Sequence, residues 1–304
     1  MKEARAFSPC HITGFFRIFD HTNDSLRAGS KGAGVSLCQG VETIARLRNA
    51  SKTSVQFRIN GSASNSTEVS RYVLDTFLSK FKEKDGFEIK VEHSVQAPIG
   101  CGFGTSGAAA LSLALALNDV FDLGLSKIEA AQVAHVAEVE CKTGLGTVIA
   151  ETFGGAEIRI KPGAPGIGEL KDITVPKEFV VACLCFGSIS TKKSLASERT
   201  RKCVNRYGGE LVDKLIEEPE IDNFMTFSRQ FAEKTELLTE RLRKALCATD
   251  EANFVCSMPM FGEAVFTLIE KRRLEELLGI FRQQNSNARI FVSNIDFEGA
   301  HVLK

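Results

Sequence analysis

Two short stretches in the first third of the chain alternate apolar and polar residues. Residues 53–59 (TSVQFRI) and 87–93 (FEIKVEH) place an apolar side chain at nearly every second position, which predicts half-buried β-strands of the antiparallel kind. Residues 69–84 lie between them and carry apolar side chains at positions 73, 74, 77, 78 and 81. That spacing predicts a helix with one buried face.

Longer patterns fill the rest of the chain. In chain order they predict a buried helix at 108–117, a second helix at 126–141, strands at 156–161 and 179–186, helices from 194 to about 248, a helix near 272–284 and a last strand at 288–295. The helix at 126–141 has a clear start signal, because Ser126 and Glu129 have the spacing of a capping box.

The order of these elements predicts an α+β fold in two layers, because strands and helices come in separate runs rather than in strict alternation. A Pro/Gly-rich turn at residues 161–169 (KPGAPGIGE) is the most plausible domain boundary. We therefore predict two domains, at residues 1–165 and 166–304.

Composition narrows the classes of function. The chain has 304 residues, of which 43% are hydrophobic and 25% charged, and its formal net charge is zero. This profile predicts a soluble globular protein with no bulk attraction for nucleic acid or an anionic membrane. No uninterrupted apolar run is long enough to span a membrane, and the N-terminus lacks an apolar signal core. A cytoplasmic location is therefore expected.

The nine cysteines are scattered, and none forms a C-x-x-C pair. Cys183 and Cys185 lie in a predicted strand, where alternate side chains point to opposite faces, so they are not expected to share a metal ion. We expect the cysteines to be small buried hydrophobic residues in a reducing compartment.

A glycine-rich loop precedes the predicted buried helix. Residues 98–107 (PIGCGFGTSG) contain a formal G-x-G-x-x-G. A dinucleotide fold would need a buried parallel strand before the loop and an acidic residue at the end of the next strand, and neither is present. A P-loop would need a Lys after the last glycine. Two interpretations stay open: a phosphate cradle of backbone N–H groups at a helix N-terminus, or a glycine turn that feeds a buried helix.

Three motifs in order carry a resemblance to a known family. Residues 98–108 closely resemble the central motif of the GHMP kinases, residues 7–16 (FSPCHITGFF) resemble the first motif of that family, and residues 257–268 (SMPMFGEAVFTL) resemble the third. Together they span nearly the whole chain. The segments HITGFF, GSKGAGV and TGLG, at residues 11–16, 29–35 and 143–146, look most like the archaeal-type pantoate kinase branch.

The resemblance implies a fold and an activity. The implied fold joins an N-terminal domain like ribosomal protein S5 to a ferredoxin-like C-terminal domain, with the nucleotide between them and the third motif folded back against the phosphate site. The implied activity is phosphorylation of the 4-hydroxyl of pantoate, towards coenzyme A, with ATP and Mg²⁺. The expected partners are ATP and a small hydroxy acid, and the expected assembly is a homodimer.

The resemblance also implies site residues. The nucleotide site would comprise Pro98, Gly100, Gly102, Gly104, Thr105, Ser106, Gly107 and Gly262. Ser106 and Glu138 would bind Mg²⁺, since a hydroxyl and a carboxylate suit a hard cation. The substrate would be bound by Ser30, His135 and Arg159. His135 lies one helical turn before Glu138 and so shares its helix face. Arg159 would bind the substrate carboxylate, because a guanidinium can bond a carboxylate bidentately. His11 and His21 receive no role beyond local structure.

One position departs from the family pattern. Many members carry an Asp in the segment matching residues 144–148, where this chain reads GLGTV with Thr147 at the catalytic place. Three explanations of the threonine compete. The first is that transfer proceeds without a strong base, because a loose transition state needs little activation of the nucleophile. The second is that the acceptor is mevalonate 3-phosphate or another small hydroxy acid, and the third is that the chain is a non-catalytic relative that binds a nucleotide or metabolite.

Overall fold

Two sheets organise the chain, which the computed structural model describes at residues 1–65, 67–79, 86–188, 198–235, 237–284 and 287–304. The strands are β1 (Lys2–Phe19), β2 (Gly29–Ala50), β3 (Ser54–Ile59), β4 (Ser62–Ala63), β5 (Gly86–Val95), β6 (Ala156–Lys161), β7 (Glu169–Asp172), β8 (Phe179–Ser188), β9 (Gly262–Glu270), β10 (Arg289–Ser293) and β11 (His301–Leu303). The helices are α1 (Glu68–Ser79), α2 (Thr105–Val120), α3 (Lys127–Glu140), α4 (Thr147–Phe153), α5 (Glu198–Glu217), α6 (Ile221–Lys234), α7 (Glu240–Glu251) and α8 (Leu274–Gln284), with a 3₁₀ turn at Lys271–Arg273.

Strand β2 is the spine of the larger sheet. The order is β11-β1-β2-β5-β3-β4, and β6 also pairs with β2 and carries β7. Because β2 is long, its residues 41–50 pair with β5 while residues 32–35 pair with β6. Its first half thus holds β1 on one side and β6 on the other, and this brings side chains from three distant segments to one place.

The predicted strands at 53–59 and 87–93 are present, but their pairing differs from the expectation. Strand β5 is antiparallel to β2 and parallel to β3. The parallel pairing follows from the connection between them, because helix α1 crosses over the sheet and returns the chain in the same direction. The alternation of apolar and polar residues therefore predicted the half-burial of β3 and β5 correctly. The prediction that these two strands pair in antiparallel fashion was wrong.

Helices α1, α2 and α3 form a layer over the larger sheet. Helix α2 is buried along most of its length, as its Ala/Leu composition predicts. Helix α3 begins with the predicted capping box, in which the Ser126 hydroxyl accepts from the Glu129 amide and the Glu129 carboxylate accepts from the Ser126 amide. The predicted helix at 69–84 is described as far as Ser79, and residues 80–84 and 194–197 of the predicted helices lie outside the described residues.

The second sheet has the order β10-β8-β9 and packs with helices α5 to α8 around a second apolar core. Helix α5 also contacts β1 closely: a methyl group at Gly208 would lie 1.9 Å from the Phe16 carbonyl oxygen. This contact fixes the end of β1 that carries Phe16, which matters for the cavity described below.

Two strands from beyond residue 165, β7 and β11, pair within the larger sheet, and the division into domains 1–165 and 166–304 stays a prediction. None of the nine cysteines, all of which lie in the described residues, forms a disulfide; six are buried as expected, whereas Cys203 is half-buried and Cys38 and Cys247 are exposed. Of the helices in the described residues, none has the length and apolar character to cross a membrane.

Candidate active site

A cavity of about 520 Å³ opens between the two sheets. Four segments surround it: the ends of β1 and β2, the glycine-rich loop with the start of α2, the connection from α3 to α4, and the loop before β9. The lining residues are His11, Thr13, Phe16, Ser30, Ile99, Gly100, Gly102, Phe103, Gly104, Thr105, Ser106, Glu138, Thr143, Gly144, Leu145, Gly146, Thr147, Met260 and Phe261.

The glycine-rich loop has the conformation of an anion cradle. Its alternating glycines Gly100, Gly102 and Gly104 have φ values of 80°, 83° and 62°, which side chains disfavour and glycine adopts freely. Helix α2 begins directly afterwards at Thr105, and no side chain caps its N-terminus. Its first backbone N–H groups and the positive end of its dipole therefore face the cavity. This geometry favours the phosphate interpretation of the loop over a simple turn.

The loop before β9 lies against the glycine-rich loop, where the third motif was expected. The Met260 amide donates to the Thr13 carbonyl at 3.0 Å. A methyl group at Gly262 would lie 1.9 Å from the Cys101 carbonyl oxygen, so this contact requires glycine. Of the predicted nucleotide residues, Gly262, Pro98 and Gly107 lie outside the cavity lining, and the other five line it.

Ser106 and Glu138, the two predicted Mg²⁺ ligands, are in direct contact. The Ser106 hydroxyl donates to Glu138 Oε1 at 2.6 Å, and the Thr143 hydroxyl donates to the same oxygen at 2.6 Å. The Glu138 side chain is buried, and burial raises the pKa of its carboxyl group while these two hydrogen bonds oppose the shift. The neighbouring carboxylate of Glu140 instead accepts from the Ser25 hydroxyl, so only the first of the two glutamates lines the cavity.

Ser30 lines the cavity, whereas Arg159 lies behind the lining, next to Gly146. A methyl group at Gly146 would lie 2.1 Å from Ser30 Oγ and 3.0 Å from Arg159 Nε, so Gly146 contacts both side chains. Arg159 is 1% exposed, and its Nε has no hydrogen-bond partner in the described structure. Burial lowers the pKa of Arg159, and the charge of Glu157 opposes the shift. A buried guanidinium with a free donor is suited to a carboxylate.

A buried network behind Arg159 escaped the sequence analysis. Arg159 Nη1 donates to Glu157 Oε1, and His11 Nε2 donates to the same carboxylate at 2.9 Å. Thr13 Oγ1 lies 3.3 Å from His11 Nδ1 and 3.4 Å from Arg159 Nη2. The signal for Glu157 was its position two residues before Arg159, since the two share one face of β6. His11 is nearly 150 residues away in sequence, and no local pattern links it to them.

Thr147 lines the cavity at the first turn of α4, and its catalytic role stays a prediction. A second acidic residue stands one turn later. Glu151 is fully buried, and neither of its carboxylate oxygens has a hydrogen-bond partner. Methyl groups at Gly104 and Gly107 would lie 2.6 and 2.8 Å from these oxygens, so the carboxyl group sits beneath the glycine-rich loop. Burial, then the charges of Glu138 and Glu157, raises the pKa of Glu151 well above its usual value.

His135 does not line the cavity. It is buried on α3, and its Nε2 donates to the carbonyl oxygens of Ala28 at 2.9 Å and Ser25 at 3.2 Å. Burial lowers its pKa. The structure thus places His135 behind the segment that leads into Ser30, and its predicted direct contact with substrate stays a prediction. The side chain of His21 is 88% exposed and does not line the cavity.

The chain is similar to known kinases along nearly its whole length. The family described as "GHMP kinases N terminal domain" matches residues 68–155. A pantoate kinase of Thermococcus kodakarensis is 35% identical over 286 residues, covering 92% of each chain, and a pantoate kinase of Methanocaldococcus jannaschii is 33% identical over 276 residues, covering 91% of this chain and 96% of the relative. A solved structure described as a phosphotransferase related to the CoA biosynthesis pathway has a TM-score of 0.87 at 32% identity, covering 99% of this chain and 98% of that chain.

Proposed function

We propose, from the premise that the chain belongs to the pantoate kinase family within the GHMP kinases, that it transfers the γ-phosphoryl group of ATP to the 4-hydroxyl of pantoate. Membership confirms the α+β GHMP kinase fold and the kinase activity that the three motifs implied. One observation carries the choice of acceptor: the buried guanidinium of Arg159, with a free Nε, adjoins the cavity-lining Ser30.

The phosphates of ATP belong at the glycine-rich loop and the N-terminus of α2, where backbone N–H groups can bond them. A second hollow of about 260 Å³ adjoins the cavity and shares Ile99, Thr105, Ser106 and Thr143 with it. Apolar side chains form much of its wall, which suits the flat face of a purine base. They are Ile59, Val69, Val95, Ile99 and Ala109.

Ser106 and Glu138 fit a Mg²⁺ ion that is shared with the phosphates. Their hydroxyl and carboxylate oxygens are hard donors in contact at 2.6 Å, and Mg²⁺ is commonly held by one or two protein oxygens together with substrate phosphates. No three His, Cys, Asp or Glu side chains in the described part of the chain form a metal site of their own, which suits a phosphate-dependent site. When bound, the ion would neutralise charge on the transferring group.

The acceptor carboxylate belongs at Arg159 and Ser30. Glu157 and His11 hold the guanidinium in place, and Arg159 Nε is left to donate to the ligand. The 4-hydroxyl then points towards the glycine-rich loop, and its oxygen attacks the γ-phosphorus as the bond from that phosphorus to the β,γ-bridging oxygen breaks. ADP leaves, and the hydroxyl proton passes to an oxygen of the transferred phosphoryl group. Thr147 can accept or donate a hydrogen bond at this hydroxyl, which is sufficient for a loose transition state.

The alternative acceptors fit less well. Mevalonate 3-phosphate would bring a phosphate group in addition to its carboxylate, yet none of the described residues that line the cavity is Lys or Arg. Arg159, which adjoins the lining and pairs with Glu157, is the proposed partner of the acceptor carboxylate, so none of these residues supplies a cation for the phosphate. A non-catalytic role is disfavoured because Ser106 and Glu138 form a complete donor pair at the phosphate end of the cavity.

ADP release with a panel of acceptors tests the proposal. We expect turnover with pantoate and none with mevalonate 3-phosphate or without an acid. Arg159→Ala should raise KM for pantoate at least about tenfold and leave KM for ATP unchanged, because only the carboxylate loses its partner. Arg272→Ala, at an arginine whose side chain is 79% exposed, is the matched control and should behave as wild type. Equal changes in both KM values for Arg159→Ala would place the carboxylate elsewhere.

ATP and the acid are the partners that the proposal requires. The homodimer and the cytoplasmic location expected from the sequence stay predictions. Light scattering on the purified chain at several concentrations tests the first of them directly.

A further inference from the structure

Phe261 has a backbone conformation that aromatic residues rarely adopt. It lies in the loop before β9 with φ of 58°, in the left-handed region that disfavours a bulky side chain. The residue is 6% exposed and lines the cavity, and glycine follows it at position 262. Strained residues of this kind persist where the surroundings hold them, and they cluster at ligand sites. The conformation places the aromatic ring of Phe261 in the cavity lining.

The ring of Phe261 packs edge-on against Phe16, with centroids 5.8 Å apart and planes at 80°. Phe16 also lines the cavity. Phe16 also lies close to Arg159, because both side chains adjoin Gly32. A methyl group at Gly32 would lie 2.8 Å from Phe16 Cβ and 2.6 Å from Arg159 Nη2. Phe16 and Phe261, which we call the aromatic wall, therefore begin beside the guanidinium.

The other end of the aromatic wall meets the glycine-rich loop. The carbonyl oxygen of Met260, the residue before Phe261, would lie 2.9 Å from a methyl group at Gly102. The wall thus runs from the proposed carboxylate partner to the proposed phosphate cradle, which is the path that an acceptor must follow to place its hydroxyl at the γ-phosphate.

We propose that Phe16 and Phe261 are specificity-determining residues that recognise the dimethyl carbon of the acceptor. This inference rests on the proposed function and deepens it. In pantoate a quaternary carbon with two methyl groups stands between the hydroxyl to be phosphorylated and the carbon next to the carboxylate. A ligand with its carboxylate at Arg159 and its hydroxyl at the glycine-rich loop brings those methyl groups to the aromatic wall, and their burial there favours pantoate over an unbranched acid.

The experiment compares kcat/KM for pantoate and for 2,4-dihydroxybutanoate, which has the same carboxylate and hydroxyl groups without the two methyl groups. One methylene in an apolar pocket is worth about 10- to 200-fold, so wild type should prefer pantoate at least about tenfold. Phe261→Gly removes the ring and relieves the backbone. We expect it to lower the preference at least about tenfold, through kcat/KM for pantoate, with the unbranched acid and KM for ATP nearly unchanged.

Asn253→Gly is the matched control, because Asn253 has φ of 59° and does not line the cavity. It should keep the wild-type preference. An unchanged preference in Phe261→Gly, or an equal loss with both acids, would overturn the aromatic wall. A wild-type enzyme that phosphorylates neither acid would instead overturn the proposed function on which it rests.

A measurement on the wild type alone guards against a misfolded variant. The acid 2-hydroxy-3,3-dimethylbutanoate, which lacks the reacting hydroxyl, should inhibit pantoate turnover at least about tenfold more tightly than 2-hydroxybutanoate. Equal inhibition constants for the two acids would also overturn the inference.

Discussion

Replacing Gly146 by alanine probes the acceptor end of the cavity. Gly146 precedes α4 with φ of −157° and ψ of 0°, outside the left-handed region that favours glycine. The added methyl group would lie 2.1 Å from Ser30 Oγ, 3.0 Å from Arg159 Nε and 3.3 Å from Arg159 Cδ. It therefore fills the space next to the two side chains that are proposed to hold the carboxylate.

The size of the effect follows from which neighbour can move. The Ser30 hydroxyl can rotate away from the new methyl group, but it then no longer lies beside the ligand. Arg159 cannot retreat, because it is 1% exposed and bonded to Glu157. Overpacking of this kind costs about 1–3 kcal/mol, and each 1.36 kcal/mol of lost transition-state binding is about tenfold in rate. We expect kcat/KM for pantoate to fall about 5- to 150-fold.

The assay varies pantoate at saturating ATP and then ATP at saturating pantoate. KM for pantoate should rise, and KM for ATP should stay at the wild-type value. Gly279→Ala is the matched control, because a methyl group at this helical glycine meets nothing within 4 Å. It should gain about 0.5–1 kcal/mol of stability with unchanged kinetics. If Gly146→Ala left both KM values unchanged, or raised them equally, the carboxylate would not bind at this end.

Three further predictions concern the phosphate end. Ser106→Ala should lower kcat at least about tenfold and raise the Mg²⁺ concentration needed for half-maximal rate, because a proposed metal ligand is lost; wild-type turnover would refute that role. Thr147→Asp should raise kcat for pantoate, by as much as 10²–10⁴-fold where proton removal limits the rate; slower turnover of pantoate would count against pantoate as the acceptor. Glu151 has a raised pKa in the fold, so its protonated form stabilises the folded state and this contribution is lost as pH rises above 4.5. Urea unfolding of Glu151→Gln should therefore show less loss of stability with rising pH than wild type, and parallel profiles would contradict the assignment.

Local rules were sufficient for the backbone of the glycine-rich loop. The alternating glycines before an Ala/Leu helix left a phosphate cradle and a glycine turn open, and the structure has three positive φ values followed by the uncapped start of α2. The capping box of α3 was likewise readable from Ser126 and Glu129. In each case the determining contacts lie within a few residues, so that spacing along the chain is enough to predict them.

Long-range contacts were not readable in the same way. Strands β1 and β2 are largely buried, so they lack the alternation that revealed β3 and β5. The network of His11, Glu157 and Arg159 depends on β1 and β6 lying on either side of β2, a pairing that no periodicity fixes. No pattern in the sequence singled out Glu151, and only its position under the glycine-rich loop shows that its carboxylate is buried without a hydrogen-bond partner.

The phosphorus spectrum of the reaction product tests the central claim most directly. The enzyme is incubated with ATP, Mg²⁺ and pantoate, and the proton-coupled ³¹P signal of the new phosphoester is recorded. Transfer to the 4-hydroxyl places phosphorus next to a methylene group, so we predict a signal split by two protons. A signal split by one proton would mean transfer to the 2-hydroxyl, with the carboxylate end of the cavity assigned wrongly. The absence of any pantoate phosphoester, with turnover of mevalonate 3-phosphate under the same conditions, would contradict the proposed function.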